Sequence, residues 1–455
     1  MKKVVKDMLG DQLKTMEMVV QCFGNHADFV TNSIVLLEQT VIVCYLESLV
    51  DYKQTQETLN IMAYRFNDLN EAIYTVLLPM KGSLNRDSTG IIDDLLNGKM
   101  AVFLKEDGSE NITFDPAHPS LERSISEPQA ENVLQSSFDA FTENLSTNIG
   151  LIRKQLKNKD LVIKTFPVGK KNPCNVGLFY VKNKANPNVI QQIETHLQNG
   201  KDEEAYNIQE LTKVLGLPRY SLIPTYLSTE LTAETMHDLL DGKAIVMVDH
   251  FPIALSLPVI ISDFWAVKVD KNQPILFMQF YRLLRIIGMI VTLLMPALYV
   301  AIVSVNPEVL RIQLGLSVAQ SREGVPYPAL VEVLLMMIIM EMVVEASIRL
   351  PKSIGPTITM VGGIVLGQAV VQAKLVSNLL IIILAATMIA NLTLAGYQNA
   401  VSVRITKYVI LFLSSMYGVI GIAGGVVWLC FYLGGITTYQ VPFLSYSMKE
   451  NVQDE

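Results

Sequence analysis

Charge is divided very unevenly along this chain. From Ile286 to Met448 only twelve of its charged residues occur, and the other sixty-seven lie in the first 285 residues and the short tail. A segment of such length and apolarity excludes a wholly water-facing fold. Within it, apolar runs fall at Ile286–Ser304, Ala329–Ser347, Ile358–Val371, Leu375–Leu394 and Tyr408–Leu433. About 20 apolar residues in a helix match a ~30 Å hydrocarbon core. The third run is short for a full crossing and reads as tilted, re-entrant or half of a hairpin. Arg282 and Arg285 form a basic anchor before the first run, and Arg404 with Lys407 reads as a cytoplasmic loop. Positive charge alone leaves four crossings or five open.

The fold class expected is therefore an α/β cytosolic half, built from two related subdomains, followed by an α-helical polytopic membrane domain of four to five hydrophobic segments. The boundaries drawn are 1–32 for an N-terminal helical segment, 33–106 and 131–280 for the subdomains, and 107–130 for a linker rich in Pro, Ser, Asp and Glu. Residues 281–440 form the membrane domain and 441–455 a tail. A net charge of −7 without a basic stripe argues against nucleic acid as a partner. Cys22, Cys44, Cys174 and Cys430 form no CxxC pair, so they imply neither zinc nor a disulfide framework. The opening Met1–Gly24 lacks an uninterrupted apolar core, which argues against a secretory signal and keeps the first half cytosolic.

Two stretches of that half are alike. Leu95-Leu96-Asn97-Gly98-Lys99 leads into Met100–Leu104, and Leu239-Leu240-Asp241-Gly242-Lys243 leads into Ala244–Val248. Val41–Tyr45 and Val176–Val181 read as buried strands of the same type. A repeated strand–helix–turn–strand unit indicates duplication. No phosphate-binding loop surrounds either glycine-lysine turn, so each is expected to be a helix C-cap with a solvated lysine. Leu134, Phe138, Phe141, Leu145, Ile149, Ile152 and Leu156 step by three and four, predicting a helix of about six turns. It packs on a sheet or serves an oligomer contact. His250 has no partner at metal-site spacing and reads as a turn residue.

Function is sought in the polar groups at membrane depth. A carboxylate there is costly unless water, a partner or protonation relieves it. Glu341 and Glu345 share a helix face, whereas Glu332 is about half a turn out of phase with them. That face lines a cation-favouring pore in an oligomer, or belongs to an interfacial or intersubunit helix paired with Arg349 or Arg322. Gln368 and Gln372 also share a face and are candidates for a wet lumen or subunit contact. Gly363 with Gly367, and Gly421 with Gly425, are spaced for close helix packing. GxSxG, HExxH and phosphate-binding loops are absent, so neither an enzyme nor a cofactor is expected.

Several motifs resemble one family. They are Arg-Leu-Leu-Arg before the first span; the loop Arg322-Glu323-Gly324-Val325-Pro326-Tyr327-Pro328; Arg349-Leu350-Pro351-Lys352-Ser353-Ile354-Gly355; and Val361-Gly362-Gly363 with Gly367-Gln368-Ala369. Asn148–Arg153, Asp241-Gly242-Lys243 and Val441–Ser445 fit the same pattern. Together they resemble the A subunit of the GerA-type spore germinant receptors. The sequence departs from the family pattern at Leu134–Phe138, at Leu231-Thr232 and at Gln372. The resemblance implies a multi-pass protein of the spore inner membrane that contacts lipid and acts with a transporter-like B subunit and a lipoprotein C subunit. It also implies a homo-oligomer that conducts ions when nutrient is sensed. A substrate-coupled transporter acting alone is the alternative reading, and a membrane-anchored enzyme a third.

Overall fold

The computed structural model describes residues 15–36, 39–66, 77–104, 110–119, 139–171, 173–349, 355–394 and 396–446. Its first half is α/β and its second half helical. The α/β half holds two five-stranded antiparallel sheets. The first comprises β1 (Phe29–Leu36), β2 (Gln39–Leu46), β3 (Ser83–Leu84), β4 (Met100–Phe103) and β5 (Asn111–Phe114), with helices α1 (Tyr52–Phe66) and α2 (Ser88–Leu96). The second comprises β6 (Leu161–Val168), β7 (Cys174–Val181), β8 (Leu227–Thr229), β9 (Ala244–Val248) and β10 (Ala254–Leu257). Its helices are α3 (Leu145–Gln155), α4 (Pro187–Asn199), α5 (Ile208–Val214) and α6 (Thr232–Leu240). The strand orders, β1-β2-β4-β5-β3 and β6-β7-β9-β10-β8, are the same.

Alternation along the central strands explains why both faces are covered. In β7, Val176 and Leu178 pack against Val189, Ile193 and Leu197 of α4, while Phe179 and Val181 pack against Ile149 and Ile152 of α3. A strand apolar on both faces needs a layer on each.

The likeness of the two sheets extends to their buried polar groups. Gly98 (φ 84°) and Gly242 (φ 92°) end α2 and α6 in the left-handed conformation open to glycine. The lysines that follow are paired with carboxylates, contrary to the sequence reading, and the second of them is fully buried. Lys99 Nζ donates to Asp94 at 2.8 Å, and Asp94 also accepts from Thr113 Oγ1. In the second sheet Asp238 accepts from Ser256 Oγ at 2.6 Å, and Lys243, only 1% exposed, reaches Asp263 at 2.8 Å. Burial alone would favour neutral Lys243, but Asp238 and Asp263 overcome it and raise its pKa. The conserved geometry is that of the turn itself: the lysine N–H bonds the aspartate carbonyl, Asp94 or Asp238, in both copies.

The sheets are joined by a buried polar node. Arg153 of α3 donates from Nη2 to Asp28 Oδ1 at 2.9 Å and from Nε to Asp28 Oδ2 at 3.1 Å, and Ser48 donates to the same carboxylate. Arg153 Nη2 also lies 2.7 Å from His26 Nδ1, which must accept and is therefore unprotonated.

Several sequence expectations need correction. Phe29–Leu36 is a strand crossing the boundary at residue 32; its mixed composition masked alternation, and pairing with β2 along its whole length decides it. The segment read as linker contains β5, which is buried and pairs with β4 and β3; four residues amid Pro, Ser and Asp are too few to show a period. The long amphipathic helix begins only at Leu145, where Asn144 caps it by accepting from Thr147 N–H. Phe141 precedes that helix yet joins Leu145, Ile149, Ile152 and Leu156 in one core, while Leu134 and Phe138 lie outside the described residues.

The helical half begins at α7 (Ile275–Val300), which extends through a π-helical turn to Val305. It continues with α8 (Ile312–Ser321), α9 (Ala329–Arg349), α10 (Gly355–Gln372), α11 (Asn378–Leu392) and α12 (Tyr397–Gly435). Side-chain contacts fix the directions of α9, α11 and α12 relative to α7. Gly288 meets Ala390 and Thr393, and Tyr299 bonds Ser377, so α11 runs antiparallel to α7. Ser414 bonds Ala297, so the first part of α12 runs parallel to α7. Glu332 lies by Tyr299 and Glu341 by Arg404, so α9 descends toward the α/β half.

α12 is not one straight rod. Gly418 has φ 62° and ψ −135°, and beyond it Gly421 packs on Leu413 and Gly425 on Ile410. The helix folds into a hairpin of two arms, ~30 Å and ~25 Å long. Asn306 at the end of α7 receives the turn, accepting from Val419 N–H at 3.1 Å. The second arm returns to the α/β half, where Tyr439 and Val441 enter the core of the second sheet. The tail from Val441 is thus, in its described part, a packed element.

Two stability measurements test this arrangement. Burial, aided by Arg153, lowers the His26 pKa to about 4, so the unfolded chain binds a proton between pH 6.5 and 4 that the folded chain refuses. Stability falls on acidification through that window, by on the order of 3 kcal/mol; His26→Gln should flatten the slope in thermal unfolding of the full chain. Gly418→Ala drives a methyl into Asn306 Oδ1 and sits in a backbone region that resists side chains. It should lower the unfolding midpoint markedly, whereas Gly424→Ala, which meets nothing within 4 Å, should leave it near the parent value.

Candidate functional site

The acidic residues of α9 occupy three different surroundings. Glu332, in its first turn, is fully buried. One carboxylate oxygen accepts from Ser377 N–H at 2.6 Å, and the other lies 3.3 Å from Tyr299 Oη and 3.4 Å from Arg322 Nε. Arg322 also donates to Tyr327 O at 3.0 Å. This clamp draws the loop 322–328, α7, α9 and α11 together at the end distal to the α/β half. Gly324 in that loop has φ 87°, and Lys374 packs 2.8 Å from where its Cβ would stand. Glu323, Pro326 and Pro328 are exposed, and Pro328 O caps the start of α9 by accepting from Glu332 N–H.

Glu341 sits lower on the same helix and is held twice. Arg404 Nη1 donates to one oxygen at 2.9 Å and Lys407 Nζ to the other at 3.0 Å. The two cations belong to the first arm of α12, three residues apart and so on one face. They are not a loop, as the sequence reading had it; Lys407 is almost wholly buried. One carboxylate between two cations leaves this cluster positive.

Glu345, one turn further, is exposed and pairs with Arg349 at 2.6 Å. Glu341, Glu345 and Arg349 line one open groove of about 480 Å³, with Tyr408 and the apolar Ile338, Met342 and Ala346. The sequence reading set Arg322 and Arg349 as alternatives for the acidic face. The structure uses Arg322 for Glu332, Arg349 for Glu345, and a different helix for Glu341.

The remaining candidates are not brought to this groove. Gln368 and Gln372 are exposed on α10. Gly363 and Gly367 have nothing within 4 Å among the described residues, while Gly421 and Gly425 close the α12 hairpin. Tyr299, Ser377 and Asn306 were not singled out by the sequence, and Arg404 and Lys407 were singled out in a different role. A readable signal existed for two of them: Arg404 and Lys407, at i,i+3 beside a long apolar run, match the otherwise unpartnered acids of α9.

A second polar contact couples the helices to the α/β half. Asp263, which holds Lys243, accepts from Asn399 at the foot of α12 through its backbone carbonyl. Arg285 at the foot of α7 pairs with Asp270 and donates to Trp265 O at 3.0 Å.

An α/β half coupled in this way to a charge-clamped bundle of apolar helices defines the class: a two-part protein whose α/β half is tied to a helical half. Comparison with known proteins makes it specific. The family model described as Bacillus/Clostridium GerA spore germination protein matches residues 17–455. Spore germination protein GerLA of Bacillus cereus is 31% identical over 353 residues, 78% of this chain and 71% of that protein. Spore germination protein XA of Bacillus anthracis is 27% identical across 89% of this chain and 84% of that protein. A crystal structure of the N-terminal domain of the A subunit of the Bacillus megaterium spore germinant receptor GerK3 aligns with a TM-score of 0.39 at 20% identity. It covers 53% of this chain and 92% of that one. The chain belongs to the GerA spore germination protein family.

The Glu341 clamp is testable. Glu341→Gln strands Lys407 and Arg404 in an apolar setting and should cost roughly 3–5 kcal/mol. In thermal unfolding of the detergent-extracted chain, adding Lys407→Met should recover part of that loss; strict additivity would show that the pair is not coupled.

Proposed function

We propose that this chain is the A subunit of a germinant receptor, embedded in the spore inner membrane with its α/β half in the cytosol. Among the described residues two helices are long and apolar enough to cross a membrane, Ile275–Val305 and Tyr397–Gly435. The hairpin at Gly418 makes the second of them two arms, each near the ~30 Å of a hydrocarbon core. With α9, α10 and α11 alternating in direction between them, the bundle leaves and returns on the α/β side. Large apolar side chains on these legs, such as Ile290, Phe412, Ile420 and Phe431, are exposed, as suits contact with lipid or with other subunits.

In this reading copies of the chain assemble with a transporter-like B subunit and a lipoprotein C subunit, and nutrient opens a cation conduit. The observation that carries it is the open groove bearing Glu341, Glu345 and Arg349. Glu341 is held between two cations of α12, which leaves the exposed Glu345–Arg349 pair, with the exposed Gln368 and Gln372, as the polar groups available to a shared wet lumen. Symmetry would repeat Glu345 and Arg349 together around the axis, so cations are favoured where the carboxylate faces the lumen and Arg349 lies to its side. The α/β half, tied to α7 and α12 through Asp270 and Asp263, would transmit assembly or gating.

Planar-bilayer recording on the reconstituted receptor tests the assignment. Glu345→Gln should reduce the cation-to-anion permeability ratio several-fold, and Glu341→Gln should lower the yield of assembled complex. Unaltered selectivity in correctly assembled Glu345→Gln receptors removes that carboxylate from the conduit. Stoichiometric solute uptake by the lone chain would instead favour a transporter.

A further inference from the structure

Where the α/β half meets the helices there is a cavity of about 90 Å³. Its walls come from segments far apart in sequence: Trp265 from the loop before α7, Met289 of α7, Val403 and Thr406 of the first arm of α12, Leu429 of the second arm, and Phe443 of the tail. The surroundings are one apolar cluster, in which Phe264 and Phe443 meet edge to face at 5.7 Å. Among the described residues no charged side chain lines it. Thr406 supplies a hydroxyl, whose proton is already given to Ser402 O at 2.8 Å, so its oxygen can only accept.

We infer that this cavity is a binding site for a small uncharged molecule with a short alkyl chain. Volume sets the size. Water occupies ~30 Å³ in the liquid, so about three to four non-hydrogen atoms fit here. Wall chemistry sets the class. A water needs two to four polar partners, and these almost wholly apolar walls offer too few, so an alkyl group gains contacts that water cannot. A zwitterion or carboxylate would be stripped of solvent without compensation. A short alcohol fits best, its alkyl part against Met289, Val403 and Leu429 and its hydroxyl donating to Thr406 Oγ1. Even at the ceiling of binding energy available per atom, a ligand this small reaches dissociation constants of only roughly 0.05–0.5 mM, and an ordinary fit lies in the millimolar range.

Location gives the site its consequence. The walls include the α/β half, α7 and both arms of α12, so an occupant binds only when these stand as they do here. Occupancy therefore favours this arrangement of the two halves over any that separates them. The inference is independent of which partners the chain has and of whether it conducts ions.

The chain has two tryptophans. Trp428→Phe leaves Trp265, on the cavity wall, as the only tryptophan of the full-length chain in lipid nanodiscs, excited at the red edge where tyrosine does not absorb. Bromoethane, three heavy atoms including a quenching bromine, is the probe. Its quenching of Trp265 should contain a component that saturates in the millimolar range, and Val403→Phe, which fills the cavity, should remove that component and leave only linear collisional quenching. Purely linear quenching with Val403 in place, or a saturating component that survives Val403→Phe, overturns the inference. A size comparison needs no cavity variant. In the Trp428→Phe protein 1-bromohexane should quench linearly; if it saturates as bromoethane does, the space is an acyl-chain groove and the small-ligand site is refuted.

Discussion

Glu341 lies between Arg404 and Lys407, and the helical half depends on that contact. An ion held away from water costs several kcal/mol unless an opposite charge and good hydrogen bonds answer it. Both cations sit on the first arm of α12, whose residues precede a hairpin that must turn at Gly418, and Glu341 sits on a helix that descends from the distal clamp. The pairing therefore sets the rotation of α9 against α12. It also exposes Glu345 and Arg349 in the groove beside it, because residues four apart follow the same face. The clamp at Glu332, nine positions earlier, faces the other way and serves the interior. One helix thus holds an acid that ties the distal end, an acid that ties two helices and an acid left at the surface.

The same logic governs the α/β half. Arg153, among the most deeply buried side chains, exists there only because Asp28 and an unprotonated His26 meet it from the first sheet. Lys243 is buried because Asp238 and Asp263 flank it, and Asp263 in turn bonds Asn399 at the foot of α12. A turn motif repeated in both sheets has been turned, in the second copy, into the link to the helices. In the first copy Lys99 keeps its aspartate and remains a quarter exposed.

The duplication was legible because its signals are local. Leu-Leu, Asn or Asp, Gly and Lys end a helix and start a strand in both copies, and glycine at a left-handed C-cap is a backbone requirement. β5 and β1 were not legible, since four residues, or a strand of mixed polarity at a sheet edge, carry little period of their own. Pairing with a neighbouring strand decides them. In the helical half, Arg404 and Lys407 were misread as a loop because charge in an apolar region marks either a boundary or a buried partner, and sequence separation hides which.

The chain's sequence by itself determined the division into a charged and an apolar half, the sites of the glycine turns, the acid pair on one face of α9 and the family motifs, all of which rest on composition or short spacing. Tertiary structure alone decided which acid meets which cation, that α12 is a hairpin, and that the tail returns into the second sheet. Those outcomes depend on contacts between residues tens to hundreds of positions apart, such as Asn306 with Val419 or Tyr439 with Leu215. Only the folded arrangement of helices gives such pairs a distance.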